Sequence, residues 1–171
     1  QFKSMGFSAD WSKLKFTLDP DIIDTVYDTF IKLHSDGHIY RGNRLVNWCS
    51  RCQAAFADIE LERLQQTDTM YYLDYGLVQI ATVRPETIFA DVAIAVNPKD
   101  ERYKKLIGQK AVVPIVNRQI PIIADAAVDP EFGSGALKIT PGHSATDFEI
   151  GQRHQLPTLS TINENGQMVN V

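Results

Sequence analysis

The residues best suited to chemistry crowd into one short segment, 133–151, which reads GSGALKITPGHSATDFEIG. Its polar and ionisable members are Lys138, Thr140, His143, Ser144, Asp147 and Glu149. An ammonium stabilises a developing negative charge, an imidazole titrates near neutral pH, and a carboxylate binds cations such as a free amino group. The segment therefore either holds a polar site or is a well-capped helix with a solvated face.

The same segment predicts a strand that passes through a turn into a helix. The alternation in ALKIT, residues 136–140, places Lys138 and Thr140 on one face of the strand. Ser144 then opens the helix, and the SATD run matches a capping box in which Asp147 reaches back to the Ser144 backbone. Two hypotheses stay open at this point: Asp147 caps its own helix, or it points into a cleft.

A second polar stretch, ATVRPETIFAD at residues 81–91, also runs from a strand into a turn. Thr82 and Thr87 offer hydroxyl groups, and Arg84 offers a guanidinium that can bind a phosphate or a carboxylate. Threonine is a weak nucleophile without an adjacent base, so these hydroxyls suit binding better than attack. The stretch predicts a hydrogen-bonding wall, although ordinary strand threonines and a surface arginine would produce the same pattern.

The only two cysteines, Cys49 and Cys52, form one C-x-x-C pair. Two cysteines are too few for a disulfide framework, and their spacing suits a reducing compartment. A structural zinc ion takes four ligands, and the upstream His34 and His38 do not complete a regular pattern. The pair is a metal half-site at most, completed by residues outside this chain, or it is two plain buried thiols.

Short apolar runs separated by turn residues predict the elements that must position these groups. The runs are MYYLDYG, LVQIATV, VAIAV, KAVVPIV, QIPIIA and ALKIT. Helices are predicted from Asp19 to Gly37, from about Asp100 to Leu106, and from Ser144 to His154. Six short strands with few helices favour a compact barrel or sandwich. The polar stretch near residues 63–69 suggests a boundary, with domains at 1–65 and 66–171.

Composition and charge exclude several classes of protein. The chain has 171 residues, 44% of them hydrophobic and 22% charged, which suits a globular fold. A net charge of −4 provides no basic field for sequence-independent binding of nucleic acid. No apolar run approaches the ~20 residues of a membrane helix, and the start does not read as a signal peptide. We therefore expect a cytoplasmic protein with no membrane partner, and both ends look cut from a longer chain.

Three long stretches resemble the valyl-tRNA synthetases, over the insertion that carries their editing domain. They are YRGNRLVNWCSRCQAAFADIELE, ATVRPETIFADVAIAVNPKDERYKKLIG and IPIIADAAVDPEFGSGALKITPGHSATDFEIGQRH. The likeness runs in order over nearly all of the chain. Isoleucyl- and leucyl-tRNA synthetases share the domain, but RPET and GALKITP are most similar to the valyl enzymes.

The resemblance implies a mainly β fold with helices, of the α+β class: a small closed β-barrel. A helix and a zinc-ribbon-like knuckle would precede it within residues 1–65. The HIGH and KMSKS motifs that serve ATP binding and amino-acid activation in the full-length enzymes are absent here. The implied activity is hydrolysis of mischarged threonyl-tRNA(Val). It needs no cofactor, although zinc is possible in the full-length enzyme. The implied partners are the tRNA(Val) 3′ end, its aminoacyl-adenosine and the rest of the synthetase chain.

The resemblance also assigns roles to residues. Asp147 would hold the α-amino group of the substrate, and Asp147, Lys138 and Thr87 form the expected catalytic set. The expected substrate-binding residues are Thr82, Arg84, Phe132, Thr140, His143 and Ser144. Two positions depart from the valyl pattern, which has Ala where this chain has Gly142 and Asp where it has Ser144. The second change puts strict selection of threonine over valine in question.

Three other interpretations remain. The chain could be an isoleucyl-type editing domain that removes valine. It could instead be a non-catalytic zinc-ribbon module that binds RNA. A third interpretation is an editing domain that binds tRNA too weakly to act without the rest of its enzyme.

Overall fold

The computed structural model describes residues 1–62 and 64–171. Its contacts divide the chain into two units, Gln1–Asn43 and Arg44–Val171. The polar stretch predicted as a boundary includes Arg63, which lies outside the described residues. The domain boundary at residue 65 stays a prediction.

The first unit is built around one long helix, α1, Pro20–Ser35, preceded by the 3-10 helix Trp11–Lys13. Asp19 occupies the N-cap position and Pro20 the first turn, where its missing N–H has no partner to lose. Gly37, with φ +77°, lies just beyond the helix, as predicted. Among the described residues, no helix is both long and apolar enough to cross a membrane.

The second unit holds eight strands and one α-helix within the part of the chain that the structure describes. The strands are β1 (Asn47–Cys49), β2 (Ala54–Phe56), β3 (Tyr71–Asp74), β4 (Gln79–Thr82), β5 (Ala93–Val96), β6 (Lys110–Val113), β7 (Arg118–Ala124) and β8 (Ala136–Ile139), and the helix is α2 (Ala145–Arg153). Short 3-10 helices cover Asp58–Glu60, Pro85–Ala90 and Lys104–Leu106. All six runs predicted as strands form strands, and α2 begins immediately after Ser144, as predicted.

The helix predicted from Asp100 to Leu106 is wrong in its first half, because only Lys104–Leu106 is helical. The Asp100 carboxylate accepts hydrogen bonds from the Arg102 backbone N–H and from the Arg102 guanidinium. Such a local side-chain bond offers the backbone an alternative to the helix. The chain therefore makes a tight turn at Asp100 instead of a longer helix.

Strand β5 is the most deeply buried strand of the four-stranded sheet, whose order is β6-β7-β5-β8. It pairs with β7 in parallel, Ile94 opposite Ile122, and with β8 antiparallel, Ile94 opposite Lys138. All four residues of β5 are buried, as expected for an inner strand covered on both faces. This register brings Lys138 of β8 into the interior of the unit.

The mixed α and β class is confirmed, but the closed barrel is not. The β3–β4 hairpin forms its own two-stranded sheet, and no ladder among the described residues joins it to the four-stranded sheet. One backbone bond, from Val112 N to Tyr75 O at 3.1 Å, ties the hairpin to β6, and β4 lies beside β8. The hairpin therefore touches both edge strands without completing a ring of paired strands.

Candidate functional site

The Lys138 ammonium is the centre of a buried polar cluster. It donates hydrogen bonds to Thr87 Oγ1 at 2.6 Å, Asp91 Oδ1 at 2.9 Å and Thr140 Oγ1 at 2.7 Å. An ammonium has three donors, so all three are used. These bonds fix the two threonine hydroxyls in place. Lys138 is only 6% exposed, so it does not project into solvent.

Asp91 provides the negative charge opposite Lys138, and sequence reasoning did not single it out. It is fully buried, and its Oδ1 also accepts a hydrogen bond from the Thr140 hydroxyl at 2.7 Å. Its Oδ2 accepts from the Tyr75 hydroxyl at 2.5 Å. Burial and the Asp91 charge both raise the pKa of Tyr75, which stays a neutral donor. The available signal was a lone acid inside the apolar run IFADVAIAV.

Asp147 lies in the first turn of α2, but its carboxylate leaves the capping box. The Ser144 hydroxyl accepts a hydrogen bond from Asp147 N at 3.3 Å, which is one half of the box. Asp147 Oδ2 instead accepts from Thr140 N at 2.9 Å. Burial raises the pKa of Asp147, against the lowering effect of the Thr140 N–H and the Ser144 hydroxyl. The carboxylate therefore faces the end of β8.

Arg84 joins the two polar stretches. Its Nη1 donates to the His143 carbonyl oxygen at 2.8 Å, and its Nε donates to Glu86 at 3.1 Å. On the same turn, Thr82 Oγ1 accepts from Arg84 N at 3.1 Å, and the Thr87 hydroxyl donates to the Arg84 carbonyl at 3.0 Å. The turn at 82–87 and the turn before α2 therefore form one connected wall.

The His143 ring is held by a neighbouring segment of the chain. Its Nε2 accepts a hydrogen bond from Thr161 N at 3.0 Å, which requires that nitrogen to be unprotonated. Burial, followed by the charges of Arg84 and Lys138, lowers the pKa of His143. We therefore expect a neutral imidazole at neutral pH, with its proton on Nδ1.

The local structure explains why position 142 is a glycine in this chain. A Cβ at this position would collide with the carbonyl oxygen of Leu159, whose backbone crosses directly over the turn. The alanine of the valyl pattern would therefore require the backbone near Leu159 to move.

Eight of the nine residues predicted to be catalytic or substrate-binding are linked by hydrogen bonds in this cluster, and Phe132 is the exception. The Phe132 side chain is 64% exposed. It borders a recess of about 140 Å³ that also contacts Ala81 and Leu137. Ala81 precedes Thr82 on β4, so Phe132 lies beside the wall without bonding to it.

The cysteine pair lies apart from this cluster, on the β1–β2 hairpin. Cys49 ends β1, and its Sγ accepts a hydrogen bond from Cys52 N at 3.4 Å. The N–H groups of Cys52 and Arg51 lower the pKa of Cys49. The described residues contain no group of three or more histidine, cysteine or acidic side chains able to hold a metal. Two thiols do not fit a four-coordinate zinc ion without further ligands.

Comparison with known proteins supports the resemblance stated above. Residues 1–119 match the family model described as tRNA synthetases class I (I, L, M and V). Residues 97–171 match the model described as leucyl-tRNA synthetase, editing domain.

The curated relatives of this chain include valine–tRNA ligases. That of Clostridium tetani is 49% identical over 172 residues, covering 97% of this chain and 20% of the relative. That of Pseudothermotoga lettingae is 47% identical over 178 residues, covering 97% of this chain and 21% of the relative. That of Chlorobaculum tepidum is 48% identical over 175 residues, covering 98% and 19%. The chain thus spans about a fifth of the length of these relatives.

The first family match extends over more than half of the chain, and the editing-domain match covers the segment that holds Lys138, Thr140 and Asp147. The resemblance to the valyl-tRNA synthetases and their editing domain is confirmed. The chain belongs to the class I tRNA synthetases of the isoleucine, leucine, methionine and valine group, and it corresponds to the part of them that carries the editing domain.

Proposed function

We propose that this chain hydrolyses the ester bond of threonyl-tRNA(Val) and so removes threonine attached in error. One observation carries the proposal: hydrogen bonds join the turn at 82–87 to the segment 138–147 in a single polar wall. The match of residues 97–171 to an editing-domain model supports it. The similarity to valine–tRNA ligases favours the tRNA(Val) substrate.

The need for such an activity follows from the chemistry of the two amino acids. A hydrophobic pocket made for valine cannot strongly reject threonine, which differs by a hydroxyl in place of a methyl, and discrimination in this enzyme class is about 10². A second, polar site reverses the preference. Valine in that site would leave polar groups unpaired, at roughly 1–3 kcal/mol each.

Asp147 is the proposed anchor for the ammonium of the substrate. Its carboxylate is already oriented by Thr140 N, and burial raises its pKa. Burial disfavours the negative charge on this carboxylate. A bound substrate ammonium would supply a compensating positive charge and so favour the charged form. The neutral ring of His143 and the Ser144 hydroxyl lie on the same turn. They would contact the side chain of the amino acid.

Lys138 would act through its charge and through the threonines it holds. Its three donors are occupied by Thr87, Asp91 and Thr140, so direct donation to the substrate would require the loss of one bond. A positive charge in a water-poor interior still stabilises negative charge developing nearby on the ester oxygen. The two threonine hydroxyls keep the position that Lys138 imposes.

The proposed reaction is hydrolysis without a cofactor. A water oxygen attacks the ester carbonyl, the bond from the carbonyl carbon to the ribose oxygen breaks, and the proton of the water goes to that ribose oxygen. The adjacent ribose hydroxyl can assist the water.

Arg84 and Phe132 would bind the terminal adenosine, and the rest of the synthetase chain would hold the body of the tRNA. Cys49 and Cys52 would form a zinc site together with thiolates elsewhere in the full-length enzyme, and that site would serve the fold only.

The test is single-turnover deacylation of threonyl-tRNA(Val) with the protein in excess. Asp147→Ala is expected to slow deacylation by about 100-fold or more, because truncating one partner of a buried charge pair costs several kcal/mol. Glu149→Ala is the matched control, since Glu149 is an exposed acid on the same helix. Parent-like deacylation by Asp147→Ala would refute the role of this carboxylate.

The choice of substrate is tested in the same assay. Threonyl-tRNA(Val) should be deacylated faster than valyl-tRNA(Ile). The opposite order would assign the chain to the isoleucyl type of editing. Deacylation of neither substrate, with retained binding of tRNA, would favour a non-catalytic RNA-binding module.

A further inference from the structure

The segment 129–135, here called the Phe132 loop, presents an exposed aromatic ring beside a shallow recess. Phe132 is 64% exposed, and the recess of about 140 Å³ has an apolar floor that includes Ala127, Val128 and Leu137. Pockets that enclose a small molecule are typically about 300–1,000 Å³, so this recess can seat only part of a ligand. An exposed ring over an apolar recess suits the stacking of a flat aromatic group.

Two residues from the neighbouring turn fasten the backbone on both sides of Phe132. Arg102 Nη2 donates to the Pro130 carbonyl at 2.7 Å, two residues before Phe132. The Tyr103 hydroxyl donates to the Ser134 carbonyl at 2.7 Å, two residues after it. We call Arg102 and Tyr103 the clamp. The two bonds restrain the loop at both ends while the ring between them stays uncovered.

Arg102 is itself fixed in place. Its Nε lies 3.0 Å and its Nη2 lies 2.6 Å from the two oxygens of Asp100, a two-pronged ion pair whose acid is 5% exposed. The guanidinium carbon lies 5.3 Å from the centre of the Tyr103 ring. Because the carboxylate holds the planar guanidinium in one orientation, the remaining N–H of Nη2 points at the Pro130 carbonyl of the loop.

Gly135 makes room for this arrangement. Its φ is +79°, and a Cβ there would collide with Arg102 Nη2 and approach the Pro130 carbonyl. A side chain at position 135 would therefore displace the guanidinium from the loop. Gly135, Arg102 and the Pro130 carbonyl therefore form a close-fitting contact.

We infer that Arg102 and Tyr103 are positioning residues that hold Phe132 as a preformed stacking face for the adenine base of the aminoacylated 3′ end. This inference rests on the proposed function, which brings a terminal adenosine to the wall beside Phe132. A restrained loop binds the base without a further loss of conformational freedom, so the clamp acts on affinity for the nucleoside and leaves the hydrolytic step unchanged.

The test measures how single-turnover deacylation of threonyl-tRNA(Val) depends on protein concentration. Arg102→Ala and Tyr103→Phe each remove one hydrogen bond to the Phe132 loop. Each should therefore raise the half-saturating concentration by about 3- to 10-fold, with the maximal rate within about twofold. Lys104→Ala is the matched control. Lys104 belongs to the same turn and pairs with Glu101 at the surface, so this variant should behave as the parent.

A double-variant cycle separates an effect that acts through Phe132 from a merely structural effect. In a Phe132→Ala background, Arg102→Ala should cause no further rise in the half-saturating concentration, because the ring through which the clamp acts is gone. An equal rise in both backgrounds, or a fall in the maximal rate alone, would overturn the inference. Tyr103→Phe removes a single hydroxyl and keeps the ring, so it remains informative if Arg102→Ala folds poorly.

Calorimetric binding of an amide-linked threonyl-adenosine, which cannot be hydrolysed at the ester, separates the two proposals. If the parent binds this analogue but does not deacylate the tRNA, the proposed hydrolysis fails, and the clamp is judged by its effect on the dissociation constant. If the parent deacylates and the clamp variants bind the analogue as tightly as the parent, the clamp fails alone. A parent that neither binds nor deacylates overturns both.

Discussion

The Lys138 ammonium lies 2.9 Å from the Asp91 carboxylate, and both side chains are withdrawn from solvent, with 7% and 0% of their area exposed. The two residues are 47 positions apart in the sequence. Their pairing ties the end of the 81–91 stretch to β8, and Thr87 and Thr140 are both hydrogen-bonded to Lys138. The wall proposed to bind the substrate is thus built on a buried ion pair.

Asp91→Asn should strongly destabilise the Arg44–Val171 unit. The change leaves the Lys138 ammonium buried without its counter-charge, which typically costs about 3–5 kcal/mol. Denaturant unfolding of the parent and the variant measures the loss. Asp91→Asn combined with Lys138→Met should lose less than Asp91→Asn alone, because no unpaired charge then remains. A single variant as stable as the parent would show that the pair carries little energy.

The stability of the fold should fall as the pH drops below the ordinary histidine pKa of 6.5, in part because of His143. Burial lowers the pKa of His143 in the folded state, so the unfolded chain takes up the proton first and acidification favours unfolding. Protonation of Nε2 would also break its bond from Thr161 N. An NMR titration of the ring should give a midpoint below 6.5.

A matched variant isolates this contribution from the other histidines. His143→Gln should show a smaller loss of unfolding free energy between neutral pH and pH values below 6.5 than the parent does. An unchanged pH dependence in the variant, or a ring midpoint above the ordinary value, would contradict the assigned neutral state.

Ser144 allows capping to be separated from recognition. Ser144→Ala removes the acceptor for Asp147 N and should cost about 0.5–2 kcal/mol of stability, measured by denaturant unfolding. Ser144→Asp should keep the cap, since serine and aspartate cap about equally well. If position 144 also reads the substrate hydroxyl, Ser144→Asp should raise the ratio of threonyl-tRNA(Val) to valyl-tRNA(Val) deacylation. An unchanged ratio would limit Ser144 to capping.

Removal of metal should leave deacylation unchanged. The described residues bring only two thiols together, at Cys49 and Cys52, and the proposed hydrolysis uses neither. Treatment with a chelator and the double change Cys49→Ser with Cys52→Ser should both give the parent rate of single-turnover deacylation. Stoichiometric zinc that survives dialysis against the chelator would mean that this chain supplies further ligands.

Much of the fold follows from local patterns. Short apolar runs separated by turn residues predicted β3 to β8, and Ser144 as the cap predicted where α2 begins. The turn at Asp100 was missed because a side chain competes there with the helical backbone bonds, and the helical pattern does not reveal that competition. Closure of the sheet was overestimated because strand number does not determine whether a hairpin and a sheet edge share a ladder.

The sequence by itself identified the two segments that supply the candidate site, 81–91 and 133–151, through the resemblance and the motif spacing. Only the tertiary structure decided what those residues do for one another. In the folded chain the Asp147 carboxylate accepts from Thr140 N and not from the helix cap. All three donors of Lys138 are occupied, and Asp91 is its counter-charge. The physical reason is that sheet register and burial determine the partner of a polar group, and hydrogen-bonded partners in this site lie up to 59 positions apart in the chain.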